Sequence, residues 1–144
     1  MGAASNWFTW ALLSAVFAAL TTVFAKLGVT DVDADFATLI RTLIIVVLLG
    51  VMVAAAGKWT DPLALPARTL GFLVLSALAT GASWICYFRA LKAGDASLVA
   101  SVDKSSLLLV ALFAVAFLGE RPAPRQWFGF ALIAAGVLTL GWRR

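Results

Sequence analysis

Histidine is absent from this 144-residue sequence, and cysteine occurs once, as Cys86 inside an apolar run. A disulfide scaffold needs paired thiols and a Cys/His metal site needs several ligands, so both are excluded. Histidine acid/base chemistry goes with them. Charge is scarce as well: Asp, Glu, Lys and Arg make up 12% of the residues against 63% hydrophobic, and mean hydropathy is +1.03. The uncharged runs are too many and too long for one water-soluble core, so the solvent around them is lipid. There is no glycine-rich phosphate-binding loop, which removes an ATP-driven pump. These absences lead to the expectation of an integral membrane protein without enzymatic activity and without a cofactor. The net charge of +4 does not indicate nucleic acid, because Lys and Arg stand singly at the ends of apolar runs, where they anchor helices at headgroups.

Trp7 to Ala25 gives 19 residues without a charge, enough to cross a hydrocarbon layer of roughly 30 Å at about 1.5 Å per residue. Met1 to Asn6 carries no Lys or Arg, so this run is expected to stay in the mature protein and not to act as a cleaved signal. Five membrane helices are predicted, over about 7–27, 36–57, 69–92, 96–119 and 125–142, as a single domain over 1–144. Between the first two lies an acidic loop with Asp31, Asp33 and Asp35, whose last Asp is expected to cap helix 2. The longest connection holds Lys58, Asp61, Pro62, Pro66 and Arg68, and Pro122 and Pro124 sit where a fifth helix can start. Trp7, Trp59, Trp127 and Trp142 read as interfacial belt residues.

Five spans put the termini on opposite sides of the membrane. Lys58, Arg68, Arg121 and Arg125 fall on the N-terminal side, four residues, against Lys26, Arg89, Lys92, Arg143 and Arg144, five, on the other, or six with Arg41. Orientation follows Lys/Arg bias, and here the bias is close to nil. Two readings follow: insertion in both orientations with antiparallel pairing of two copies, or a single, weakly biased topology.

Four stretches then resemble a known family: Tyr87-Phe-Arg-Ala-Leu-Lys92, Ala96-Ser-Leu-Val-Ala-Ser101, Phe117-Leu-Gly-Glu-Arg121, and Trp127-Phe-Gly129 through Gly136-Val137. They are similar to the EamA-type domain of the drug/metabolite transporter superfamily. Arg41 stands where such domains often carry an Arg, and residues 129–137 also resemble the last helix of the small multidrug resistance proteins. The resemblance implies an all-α membrane fold forming one half of an inverted-repeat transporter, completed by an antiparallel homodimer. It further implies a secondary transporter or exporter of a small metabolite or drug-like solute in the inner membrane, working by alternating access. The alternatives are a non-transporting accessory subunit paired with another half, or a lipid-handling half-transporter. Helix 4 departs from the family, having Asp103-Lys104 where a proline is often found.

The substrate or coupling candidates start from those two residues, because an ionised group at membrane depth is costly unless paired or hydrated. Adjacent helical residues point about 100° apart, so each is expected to need its own partner, with Arg41 or Lys26 facing Asp103. Asp103 is then either a coupling carboxylate or half of a structural ion pair, and the local positive surplus favours an anionic substrate. Polar stripes add Ser76, Thr80, Ser83 and Tyr87 with Trp84 on helix 3, Trp10, Ser14 and Thr21 on helix 1, and Ser97, Ser101 and Lys104 on helix 4. Such faces line a cavity or simply let helices pack closely. Gly129 and Gly136, two turns apart, read as helix-packing or dimer contacts.

Overall fold

A computed structural model describes residues 3–142, and every described element is helical. Arg143 and Arg144, which entered the charge count, lie outside the described residues. The helices are α1 (Ala3–Gly28), α2 (Ala34–Ala55), α3 (Ala67–Ala93), α4 (Ala96–Asp103), α5 (Ser106–Phe117) and α6 (Pro124–Gly141), with a 3-10 turn at Pro62–Ala64 before α3. Helical structure follows from the solvent: in hydrocarbon each backbone N–H and C=O must be satisfied within its own segment.

Four stretches have the length and apolarity to cross a membrane: Trp7–Gly28, Ala34–Ala55, Ala67–Ala93 and Ala96–Phe117. The protein is therefore a multi-pass membrane protein. The predicted fifth span, α6, is shorter, with 18 residues that open on the polar run Pro124-Arg125-Gln126.

Helix ends are set by local chemistry. Asp33, not Asp35, caps α2: its Oδ1 accepts from the backbone N–H of Asp35 at 3.0 Å and of Phe36 at 3.1 Å. Gly57, at φ 63°, ends α2 in a left-handed turn, in which Lys58 N–H returns to the Val53 carbonyl and Gly57 N–H to that of Ala54. Gly119, at φ 68°, does the same for α5, turning the Glu120 N–H back onto the Ala114 carbonyl.

The expected single helix over 96–119 is interrupted. Lys104 and Ser105 form a turn between α4 and α5, where the N–H groups of Lys104, Ser105, Leu107 and Leu108 bond three residues back instead of four.

The chain divides into two compact units, one through Ala93 and one from Gly94. In the first, α3 packs against both α1 and α2. Their shared end is closed by Val29, Ala34, Thr38, Phe88 and Leu91, all buried, with Leu91 inaccessible. In the second, α6 packs against α4 and α5, and Ala111 and Ala114 are the buried residues. Most Leu, Ile, Val and Phe side chains on α1–α3 stay exposed. That arrangement suits a protein whose outer surface meets acyl chains, which are as apolar as leucine.

Candidate functional site

Two cavities of the first unit bear on function. One, of about 630 Å³, lies between α2 and α3 and is lined by Asp35, Thr38 and Thr42 on one side and Ser76, Thr80 and Trp84 on the other. Spacings of three and four residues along each helix bring these groups onto the facing surfaces. The threonines hide their protons. Thr38 Oγ1 donates to the Ala34 carbonyl at 2.8 Å, Thr42 Oγ1 to Thr38 at 2.7 Å, and Thr80 Oγ1 to Ser76 at 2.9 Å. With the hydrogens spent on the helix behind them, these hydroxyls offer lone pairs as acceptors.

The second cavity, of about 480 Å³, is the cleft between α1 and α2. Phe24, Ala25, Ile40, Ile44, Arg41 and Phe88 are among its lining residues, and Thr21 is its hydroxyl. Arg41 is the cation here, seven residues into α2 and so about 10 Å below the helix start. Its guanidinium carbon sits 4.2 Å from the Trp84 ring centroid and 5.5 Å from that of Phe88. The aromatic faces supply part of the stabilisation that water would give. Among the described residues Arg41 forms no ion pair.

The mouth of the α2–α3 cavity is fastened by charge. Arg89 grips Asp35 through two bonds, Nε to Oδ1 at 2.8 Å and Nη2 to Oδ2 at 2.6 Å, a planar fork on a carboxylate. Beside it, Lys92 Nζ donates to the Val32 carbonyl at 2.7 Å and Lys26 Nζ to the Leu91 carbonyl at 2.6 Å. Thr22 and Tyr87 share a hydrogen bond at 2.7 Å between α1 and α3. The sequence reading missed the fork, treating Asp35 as a cap and Arg89 as a helix-end cation. The available signal was an acid in the first turn of one helix and a base near the end of the next, which an antiparallel pair of helices brings to the same side. Asp35→Arg and Arg89→Asp are each expected to lower the melting temperature of the purified protein by several degrees, and the double exchange to recover most of the loss. A double variant no better than the singles would show that the pair does not fasten α2 to α3.

Of the sequence candidates, Arg41, Trp84 and Thr80 are brought together. Tyr87 turns to α1, Ser83 is exposed and lines neither cavity, and Lys26 is engaged at the helix end. Trp10 and Ser14 are exposed on the N-terminal half of α1, away from both cavities. In the second unit, Ser101 Oγ donates to the Ser97 carbonyl at 2.7 Å. Asp103 and Lys104 correct the expectation that they cannot meet: the turn between α4 and α5 brings Lys104 Nζ to 3.7 Å from Asp103 Oδ2. A Cβ added at Gly129 or Gly136 would meet nothing within 4 Å, so among the described residues of the second unit neither glycine marks a close helix approach.

Residues 5–142 match the model of the EamA-like transporter family. The chain belongs to that family. This EamA member is 58% identical over 135 residues to an uncharacterized transporter in the cobO 3' region of Sinorhizobium sp, covering 94% of this chain and 96% of that relative. It is 33% identical over 96 residues to an uncharacterized transporter of Vibrio cholerae serotype O1, covering 63% of this chain and 31% of that longer protein. It is also 30% identical over 89 residues to the probable 4-amino-4-deoxy-L-arabinose-phosphoundecaprenol flippase subunit ArnE of Yersinia pestis, covering 61% of this chain and 78% of that one. No solved structure matches the chain. Family and apolar helices together make this EamA protein a multi-pass integral membrane protein, which in a bacterium resides in the inner membrane.

Proposed function

We propose that the chain is one half of a secondary transporter for a small metabolite or drug-like solute, completed by a second copy in the opposite orientation. α6 is then the fifth span, and the two copies restore an inverted repeat in which access alternates between the two sides. The observation that carries the reading is Arg41, a cation well inside a membrane helix that forms no ion pair among the described residues and stands beside a hydroxyl-lined cavity. Charges at such depth usually face a cavity, a substrate path or a partner. An anionic group on the solute supplies the counter-charge that the described residues do not. The nearly full-length match to a relative named a transporter supports a working unit of this size.

A second reading is favoured by the name of the Yersinia relative, a flippase subunit: the chain pairs with a different half, either as an accessory subunit or in handling a lipid. Orientation separates the two. A cysteine at Thr60, in the loop between α2 and α3, is introduced in a Cys86→Ala background and labelled with an impermeant thiol reagent in sealed cells, with and without permeabilisation. About half of the sites protected, as equal populations of the two orientations require, is the expected result. Full protection or full exposure would overturn the homodimer and favour the partnered subunit.

A further inference from the structure

The two cavities described above both have mostly apolar walls, and Arg41 lines the α1–α2 cleft. Thr38, Thr42, Ser76 and Thr80 give the α2–α3 cavity a row of hydroxyls, whereas the α1–α2 cleft is walled by Phe24, Ile40, Ile44 and Phe88. Arg41 lines the apolar cleft, and its guanidinium carbon stands 4.2 Å from the ring centroid of Trp84, a residue that lines the α2–α3 cavity. The cation therefore stands among apolar walls in the α1–α2 cleft, held against an aromatic ring.

We propose that Arg41 and the α1–α2 cleft form a single site for an anionic amphiphile, with the charged head at the Arg41 guanidinium and one alkyl chain along the apolar walls of the cleft. The proposal rests on the reading of Arg41 as part of a solute site and names the substrate class of that site. Charge complementarity selects the head: Arg41 has donors in a planar fork suited to a phosphate or carboxylate, and no acid among the described residues takes them. The cleft selects the chain. Its α2 wall runs from Ala37 to Ile45, about 12 Å along a helix axis and long enough for a run of methylenes. Small residues on the facing helix, Ala25 and Gly28, leave the space open, and a Cβ added at Gly28 meets nothing within 4 Å. An amphiphile dissolved in the bilayer has already left water, so the cleft contributes packing and orientation, while Arg41 contributes selection by charge.

The test uses the full-length protein in nanodiscs of zwitterionic lipid and measures binding, with no flux required. The probes are radiolabelled dodecyl phosphate, dodecylphosphocholine with the same chain but a compensated charge, and inorganic phosphate. Dodecyl phosphate should bind at least ~10-fold more tightly than either comparison probe, a factor worth about 1.4 kcal/mol. Gly28→Leu and Ala25→Phe, which narrow the cleft from the α1 side and leave the Arg41 charge in place, should each weaken it by a similar factor. Arg41→Gln should remove the preference over dodecylphosphocholine. Inorganic phosphate binding as tightly as dodecyl phosphate would overturn the proposal in favour of a soluble anion. Wild-type dodecyl phosphate binding in both cleft variants would overturn the placement of the chain. Gly28 has open space around it, so that variant keeps the test decisive even where Ala25→Phe fails to fold. Loss of amphiphile binding with dual orientation intact would sink this inference alone, whereas strong binding with a single orientation would leave it standing and remove the homodimer.

Discussion

Arg41→Gln is expected to reduce transbilayer movement of a fluorescent alkyl phosphate in reconstituted vesicles to near background, a fall of about tenfold or more. The physical reason is that the guanidinium rests on two aromatic rings and forms no ion pair among the described residues, so its charge remains available to an incoming anion. Glutamine keeps much of the length and some hydrogen-bonding capacity but no charge. Arg41→Lys should be intermediate: it retains the positive charge but loses the flat fork and much of the stacking on Trp84. Dithionite quenching of the fluorophore reads the rate directly. Wild-type movement by the glutamine variant would remove Arg41 from the transport path and reduce it to a side chain reaching toward the headgroups.

The largest expected loss of stability comes from Leu91→Ala. Leu91 is inaccessible at the closed end of the first unit, with Val29 and Phe88 also buried there, and truncating such a side chain leaves a cavity that costs about 2–4 kcal/mol. Its backbone carbonyl also receives the Lys26 ammonium, so relaxation around the cavity disturbs a polar tie as well. Unfolding in mixed micelles with increasing SDS should show the shift. Leu78→Ala, on the exposed face of α3, should change little by comparison. Equal losses at the two positions would mean that Leu91 does not hold the closed end together.

Much of the architecture is legible in runs without charge. The stretch from Trp7 to Ala25 and that from Thr69 to Phe88 have no reading other than membrane helices, because a bilayer imposes both length and composition. Arg41, Trp84 and Thr80 were also legible as candidates, since a cation in a span and a polar stripe are visible without coordinates. Position on a helix gives an angle, however, and not the identity of the neighbour. Ser83 and Tyr87 share a stripe with Thr80, yet Tyr87 is taken by Thr22 of α1 and Ser83 lines neither the α2–α3 cavity nor the α1–α2 cleft. Asp35 shows the same limit. Two aspartates close together can each cap a helix, and only the approach of α3 decides that Asp33 caps while Asp35 receives Arg89. The turn at Lys104 and Ser105 is of a different kind, for it arises where no proline or glycine announces it.

That turn gives the second unit a joint. α5 runs 12 residues beyond it, about 18 Å at the usual rise, so a change of about 10° at the joint carries the far end of α5 some 3 Å, roughly the width of a water molecule. A straight 22-residue rod would have to move as a whole to achieve the same displacement. The joint makes α5 a lever that pivots at Lys104 and Ser105.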